Sequence, residues 1–194
     1  MKNIFCLLLF TPMLSFSQES KILNNEKFSI GLHYVGNLRN ENLISDNFNG
    51  TIGLDTKYVF AEKGVASFQG GITLDYLQAR NEKYEGLDFK NTIIWNPNVG
   101  IELDVFKTGL KPFFNLGYSF FSVKYTMQFA SMIGEPNFNQ NPSDKKFNYS
   151  SLSINPGLRY HFKKSLFIET SYKYLPEDEK INIHFFNIGL GVKF

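Results

Sequence analysis

The sequence has very few of the residues that most often do chemistry or hold metals. It contains one cysteine, Cys6, and three histidines among 194 residues. Because Cys6 lies near the amino terminus, no disulfide framework and no thiolate metal site can form in the rest of the chain. The sequence also lacks a phosphate-binding loop, a metal-spacing motif and a heme motif, so we expect no cofactor.

The sequence also lacks an excess of charge of either sign. There are 20 Lys and Arg against 18 Asp and Glu, a formal net charge of +2. The nearest approach to a block of like charges, Glu177-Asp178-Glu179, is short and is followed by Lys180. Nucleic-acid binding needs a clustered basic patch, so we expect no nucleic-acid partner.

Long apolar runs are absent except at the amino terminus. Lys2 precedes an apolar stretch at 4–14, and small residues lead to a cleavage site after Ser17. This pattern is typical of a secretory signal peptide. A transmembrane helix, the alternative, needs about 20 apolar residues, and this run is shorter. We therefore predict a signal peptide at 1–17 and a mature domain at 18–194.

Aromatic residues are abundant and recur in alternating segments. There are 21 Phe and 10 Tyr, which favours β structure. After residue 17, apolar residues recur at every second position, without a sustained helical period. Eight segments follow this pattern: 27–37, 50–60, 65–78, 93–106, 111–125, 149–162, 165–175 and 182–194. Several are more than twice as long as the strands of about 5–6 residues that are common in soluble proteins.

The joins between these segments alternate between short and long. Short joins are found at 61–64, 107–110 and 163–164, long joins at 38–49, 79–92 and 126–148, and an intermediate join at 176–181. A meander of antiparallel hairpins places all short turns at one end of the sheet and all long loops at the other. The sequence therefore predicts an all-β, eight-stranded antiparallel up-and-down barrel with both termini at the short-turn end.

Two Asn-Pro pairs interrupt the predicted strands. Asn96-Pro97 and Asn155-Pro156 both stand in mid-strand near a glycine. Proline cannot donate a hydrogen bond to the ladder and is normally excluded from paired strands. We therefore expect β-bulges or bends at both places, which would help the sheet to curl closed.

The alternation defines two faces and leaves open which of them is inside. A soluble lipocalin-like barrel has its apolar face inside, whereas a transmembrane β-barrel turns that face to lipid. Two groups of aromatic residues bracket the apolar face, as expected at two membrane interfaces. They are Phe28, Phe60, Phe162 and Phe194 near the short turns, and Tyr34, Tyr76, Trp95, Tyr172 and Phe186 near the long loops. We therefore favour the transmembrane arrangement.

The polar face carries charges of both signs. The predicted barrel-interior charges are Asp55, Lys57, Asp75, Glu102, Asp104, Arg159, Glu169 and Lys173. In a narrow interior these acids and bases can pair with one another. The carboxylates of Asp75, Glu102 and Asp104 could instead bind a cation. Salt bridges to the interior bases account for these acidic residues more simply, and we predict no metal site. An eight-stranded interior is just wide enough to be filled by side chains, so we expect no open channel.

The pattern resembles a known family. The signal peptide, the eight strands and glycine-rich segments such as PFFNLGYSFF and INPGLRYHF are similar to small Gram-negative outer-membrane β-barrels of the OmpA/OmpX type. The resemblance implies an outer-membrane location, contact with outer-membrane lipid and termini in the periplasm. It also implies that the barrel-assembly machinery reads the last strand. The residues that match this signal are Phe186, Ile188, Leu190, Val192 and Phe194.

The resemblance also requires that catalysis be considered, because some small outer-membrane barrels are lipid A deacylases or acyltransferases. His161, Ser165 and Glu169 are close in sequence but straddle the short turn at 163–164. The His and Ser spacing of the family deacylases is absent. We therefore predict no catalytic residues and no enzymatic activity. A lipid A-modifying enzyme, a narrow small-solute pore and a soluble carrier remain the alternatives.

The longest join, at 126–148, is the main candidate surface for a protein partner. It is unusually apolar for a loop in solvent, since it contains Met127, Phe129, Met132, Ile133 and Phe138. These side chains either fold over the barrel mouth or contact a partner. We expect a monomeric barrel with a structural or interaction role that is carried by its long extracellular loops.

Overall fold

Nearly all of the chain that the structure describes is β-strand. The computed structural model describes residues 27–38, 43–80, 87–105, 108–127, 143–163, 165–178 and 181–194, so the predicted signal peptide at 1–17 lies outside it. The elements are β1 (Phe28–Leu38), α1 (Leu43–Asn47), β2 (Phe48–Lys63), β3 (Ala66–Ala79), β4 (Leu87–Phe89), β5 (Thr92–Leu103), β6 (Leu110–Met127), β7 (Ser143–His161), β8 (Leu166–Asp178) and β9 (Ile181–Lys193). In these ranges no helix is long and apolar enough to cross a membrane.

The eight long strands form a closed antiparallel barrel. Each long strand pairs with the long strands before and after it in the chain, and β1 pairs with β9 to close the ring. The prediction of an eight-stranded up-and-down barrel is therefore confirmed. The three-residue strand β4 is an addition, since it lies within the join predicted as loop 79–92 and pairs with the end of β6.

The longest hairpin extends further than the sequence predicted. β6 and β7 remain paired from Leu110↔Tyr160 to Met127↔Ser143, so strand occupies both ends of the predicted loop 126–148. Met127 packs against the buried apolar cluster of the barrel. Residues 128–142 lie outside the described residues, and with them the other apolar residues of that loop, Phe129, Met132, Ile133 and Phe138.

No β-bulge is found at either proline, so that part of the expectation was wrong, and the expectation of a bend stays a prediction. Pro97 stays in register opposite Ile72 of β3, and Pro156 opposite Phe114 of β6. On the other side of each proline the ladder skips pairs and resumes in the same register. Each proline therefore weakens pairing with one neighbour only, because one missing N–H affects one side of the strand. Register shifts occur instead within β2–β3 and β8–β9.

The short turns and both ends of the described chain lie together. Gly64 and Gly109 in the turns have φ angles of 61° and 81°, a left-handed conformation that glycine adopts without steric cost. The Phe194 N–H donates to the Phe28 carbonyl at 2.7 Å, and the Phe28 N–H donates back at 3.2 Å. Their rings stack with centroids 6.4 Å apart. The last strand therefore closes the barrel, as predicted.

The apolar face of the strands points outward. Leu190, Trp95 and Leu32 are 62%, 54% and 50% exposed, whereas Asp75 and Lys173 are completely buried. A continuous apolar belt of this size is not found on soluble monomers, but it is what a barrel presents to lipid. The lipocalin-like alternative was therefore wrong, because it requires the reverse orientation of the two faces.

Candidate functional site

The short-turn half of the barrel interior holds a connected set of ion pairs around Arg159. Its Nη1 donates to Glu102 Oε2 at 2.8 Å, and its Nη2 donates to Glu169 Oε2 at 2.7 Å. The Lys57 ammonium lies 3.7 Å from the same Glu169 oxygen and 2.7 Å from Asp55 Oδ2. The guanidinium also lies over the Phe167 ring, 4.2 Å from its centroid. These charges therefore satisfy one another, as buried charges must.

A second ion network lies deeper in the barrel, around Asp75. Lys173 donates to Asp75 Oδ2, and His33 Nε2 lies 2.8 Å from Asp75 Oδ1. All three side chains are buried. The sequence analysis did not assign His33 to the interior. The pattern could have indicated it, because His33 stands at one of the alternate positions of β1 that point inward. Amide and hydroxyl groups fill the space between the networks, for example Asn96, which donates to Ser119 and Ser153.

The structure buries seven of the eight predicted interior charges and places the eighth at the rim. The seven are Asp55, Lys57, Asp75, Glu102, Arg159, Glu169 and Lys173. Asp104 departs from the expectation because β5 ends at Leu103. Its side chain is 45% exposed and pairs with Lys111 at 3.4 Å. Polar residues recur at every second position from Glu102 to Asp104, but the strand ends between them, at Leu103.

Interior glycines give room to the large side chains of neighbouring strands. A Cβ at Gly191 would come within 2.1 Å of the Phe167 ring, and one at Gly53 within 2.1 Å of His33 Nε2. Such distances are far below van der Waals contact, so neither position can hold a larger residue without a shift of its neighbour. The glycines of the inward faces are therefore part of the packing that positions both ion networks.

The long-loop half of the interior is apolar, which the sequence analysis did not predict. A cluster that we term the apolar plug consists of Val35, Ile44, Phe48, Leu77, Phe89, Ile94, Phe121, Val123, Tyr125, Leu175, Ile183 and Phe185. Tyr149 of β7 packs against it, so every strand and α1 contribute. Phe48, Phe89 and Tyr125 form a chain of ring contacts with centroids 5.8 and 5.6 Å apart. The plug fills the barrel above the ion networks.

The described residues do not bring the considered catalytic residues together. Glu169 is engaged by Arg159 and Lys57, Ser165 lies exposed in the turn, and His161 lies 3.9 Å from Glu102. Within the same ranges, no group of three or more His, Cys, Asp or Glu side chains is arranged to hold a metal ion. The geometry is that of a packed interior.

The outer surface offers a cleft where the barrel wall opens near the long loops. The β5–β6 ladder ends at Trp95↔Phe120, and β6 resumes pairing only with β4, at Tyr125↔Phe89. Between these points lies a cleft of about 720 Å³.

The closed ring of strands turns its apolar residues outward and its charged residues inward. This arrangement defines a transmembrane β-barrel. Residues 4–194 match the model of a family described as outer membrane protein beta-barrel domain. The chain belongs to this family, whose members reside in the outer membrane of Gram-negative bacteria. Comparison with curated protein sequences gives no significant match.

Solved structures support the same fold at low sequence identity. The attachment invasion locus protein Ail of Yersinia pestis is 17% identical with a TM-score of 0.58, over 87% of this chain and 97% of Ail. Neisserial surface protein A is 12% identical with a TM-score of 0.55, over 88% and 98%. The N-terminal β-barrel domain of Pseudomonas aeruginosa OprF is 14% identical with a TM-score of 0.51, over 86% and 97%. At these identities the likeness concerns the fold alone.

Proposed function

We propose that this protein is a monomeric outer-membrane barrel with a structural or interaction role, exercised at its long-loop end, and without catalytic activity. The observation that carries the proposal is the closed interior. Two ion networks and the apolar plug occupy the lumen from one end to the other. This packing of the described interior supports a closed barrel, in which specificity would belong to the surface that the strands present beyond the membrane.

The long-loop end carries most of the structure that a minimal barrel does not need. α1, β4 and the extended ends of β6 and β7 all lie there. In our proposal this end faces the outside of the cell, both termini lie in the periplasm, and the residues at 126–148 contact a protein partner. The final strand is the segment that the barrel-assembly machinery reads, through Phe186, Ile188, Leu190, Val192 and Phe194.

Conductance in planar lipid bilayers tests the closed interior against the pore alternative. We expect the purified barrel to give no stable channels. A matched variant replaces residues 128–142 with Asn-Gly, which joins the register partners Met127 and Ser143 in a two-residue hairpin. It shortens the outer end and keeps Tyr125 in the apolar plug, so it should also be silent. Stable channels in the unmodified protein would overturn the proposal.

A second experiment tests the role of the long-loop end directly. Whole cells that produce either the full barrel or the 128–142 replacement, which keeps Tyr125 and Met127 in place, would be cross-linked, and covalent adducts of the barrel compared. We expect adducts with the full barrel and their loss in the replacement. Equal adducts for both would place the interaction elsewhere. Lipid A from the same cells, analysed by mass spectrometry, should be unchanged, and lost or added acyl chains would point to an enzyme.

A further inference from the structure

The cleft in the barrel wall has an apolar end and a basic end. Trp95 and Phe120 form the apolar end, 54% and 47% exposed on the lipid-facing side of the barrel. Lys124 and Lys146 lie at the other end, further toward the long loops. Thr92 of β5 links that strand to β6, because its hydroxyl donates a hydrogen bond to the Ser122 carbonyl at 2.7 Å. The cleft therefore runs from the belt of outward aromatic residues to a cationic edge.

The two lysines stand in an arrangement that is unfavourable without an anion. Lys124 and Lys146 are direct register partners on β6 and β7, so their side chains project from the same face. Like charges directly opposite each other in an antiparallel pair destabilise it. The nearby Lys90 is paired with Asp88, whereas neither Lys124 nor Lys146 forms an ion pair within the described residues. Both also border a second cleft of about 280 Å³ that includes Lys90, Lys145 and Asp144. The Asp144 carboxylate accepts a hydrogen bond from the Thr126 hydroxyl at 2.8 Å.

We propose that this cleft binds a membrane lipid whose headgroup carries phosphate. The phosphate would lie between Lys124 and Lys146 and relieve their repulsion, and the apolar part of the lipid would lie against Trp95 and Phe120. Basic side chains at the membrane surface attract anionic headgroups, and aromatic rings are favoured at the boundary with the acyl chains. The inference goes beyond the proposed function, and its identification with the outer leaflet rests on the proposed orientation.

A lipid fits this cleft better than a soluble anion or a protein segment does. The apolar end is continuous with the outward face of the barrel, which is already in lipid. A soluble anion would use only the lysine end of the cleft, and a protein segment would have to displace lipid from Trp95 and Phe120. The charge and the apolar surface are therefore complementary to one amphiphilic molecule.

Trp95 provides a direct readout because it is the single tryptophan of the chain. The full mature barrel would be reconstituted in phosphatidylcholine vesicles with increasing fractions of bis-phosphorylated lipid A, and Trp95 emission recorded. We expect a saturable change in emission. The Lys124→Ala, Lys146→Ala double variant should raise the half-saturating fraction about 25-fold, since each lysine contributes about fivefold. The Lys124→Arg, Lys146→Arg variant keeps the charge and should respond like the unmodified protein.

Lys145→Ala is the matched control. It removes the same charge from the same strand, but Lys145 lines the second cleft and is absent from the lining of the cleft beside Trp95. It should change the half-saturating fraction less than twofold. Heat-modifiable gel migration would establish that each variant is a folded barrel.

Three results would overturn the proposal. An unchanged response with dephosphorylated lipid A would mean that the cleft recognises acyl chains only. An equal loss with Lys145→Ala would mean diffuse attraction by surface charge. An equal Trp95 response to inorganic pyrophosphate in pure phosphatidylcholine vesicles would mean a soluble anion site. The outcome is independent of the conductance test, since a conducting barrel would still report lipid binding through Trp95.

Discussion

At the scale of single residues, the inside of the barrel is built by setting glycine against a large side chain. Gly191 of β9 faces Phe167 of β8, whose ring in turn lies against the Arg159 guanidinium. A change at the glycine is therefore transmitted to an ion pair two strands away. This dependence links backbone positions that carry no charge to the stability of the charge network.

Gly191→Ala should destabilise the folded barrel. The added Cβ would lie 2.1 Å from the Phe167 ring and 2.8 Å from the Ile30 carbonyl oxygen, and overpacking of this kind costs about 1–3 kcal/mol. Urea unfolding in detergent, followed by gel migration without heating, measures the effect. Gly70→Ala is the control, because its Cβ would meet nothing closer than 3.8 Å. Equal midpoints for the two variants would contradict the steric explanation.

Lys173→Met should destabilise the barrel strongly, and a second change should restore much of the loss. The methionine leaves Asp75 buried with only His33 as its partner, and breaking a buried ion pair costs about 3–5 kcal/mol. Asp75→Asn removes the stranded charge, so the double variant should be more stable than Lys173→Met alone. A double-mutant cycle of urea midpoints measures this, and strictly additive effects would show that the two residues are not coupled.

The sequence predicted the interior charges well because alternation marks which residues share a face. Asp75 and Lys173 were assigned to the interior from phase alone. The apolar plug was missed because its residues have the same phase as the charges: Leu77 follows Asp75 by two positions, and Leu175 follows Lys173 likewise. Which inward residues share one level depends on the stagger between strands, and a single strand pattern does not contain that information.

At the scale of elements, the last strand holds the ring closed. β9 pairs with β1 from Ser29↔Lys193 to Leu38↔His184 and with β8 on its other side. Its outward residues Phe186, Ile188 and Leu190 are 45–62% exposed to the lipid side. The terminal Phe194 adds one backbone pair and one ring contact to a seam of ten register pairs, a small share of its stability.

Deletion of Phe194 should therefore impair insertion in cells more than it impairs stability. We expect reduced outer-membrane levels and a urea midpoint, after refolding in detergent, close to that of the unmodified barrel. Phe162→Ala is the comparison, since it removes an aromatic residue that is 49% exposed and leaves the last strand intact. Normal membrane levels of the deletion variant would show that Phe194 is not read during assembly.

At the scale of the whole molecule, the barrel keeps the charged side chains of its two interior ion networks out of contact with water. Buried ion pairs are screened by salt much less than exposed ones. The stability of the folded barrel should therefore hardly depend on ionic strength, although the interior contains seven buried charged groups. Urea midpoints in detergent at low salt and at about 1 M NaCl, where the screening length falls to about 3 Å, should agree. A marked drop at high salt would indicate that water and ions reach the networks.

The ladders that join the β6–β7 hairpin to β5 and β8 cover only its lower half. Pairing of β6 with β5 ends at Trp95↔Phe120, and pairing of β7 with β8 ends at Ile154↔Tyr174. Beyond these points β6 pairs with β7 and with β4, and Phe121, Val123 and Tyr125 pack in the apolar plug. Local opening requires few contacts to break, so amide hydrogens in this part should exchange with deuterium well before those of the barrel. The described wall should therefore be least protected where the β6–β7 hairpin extends past the ladders of β5 and β8.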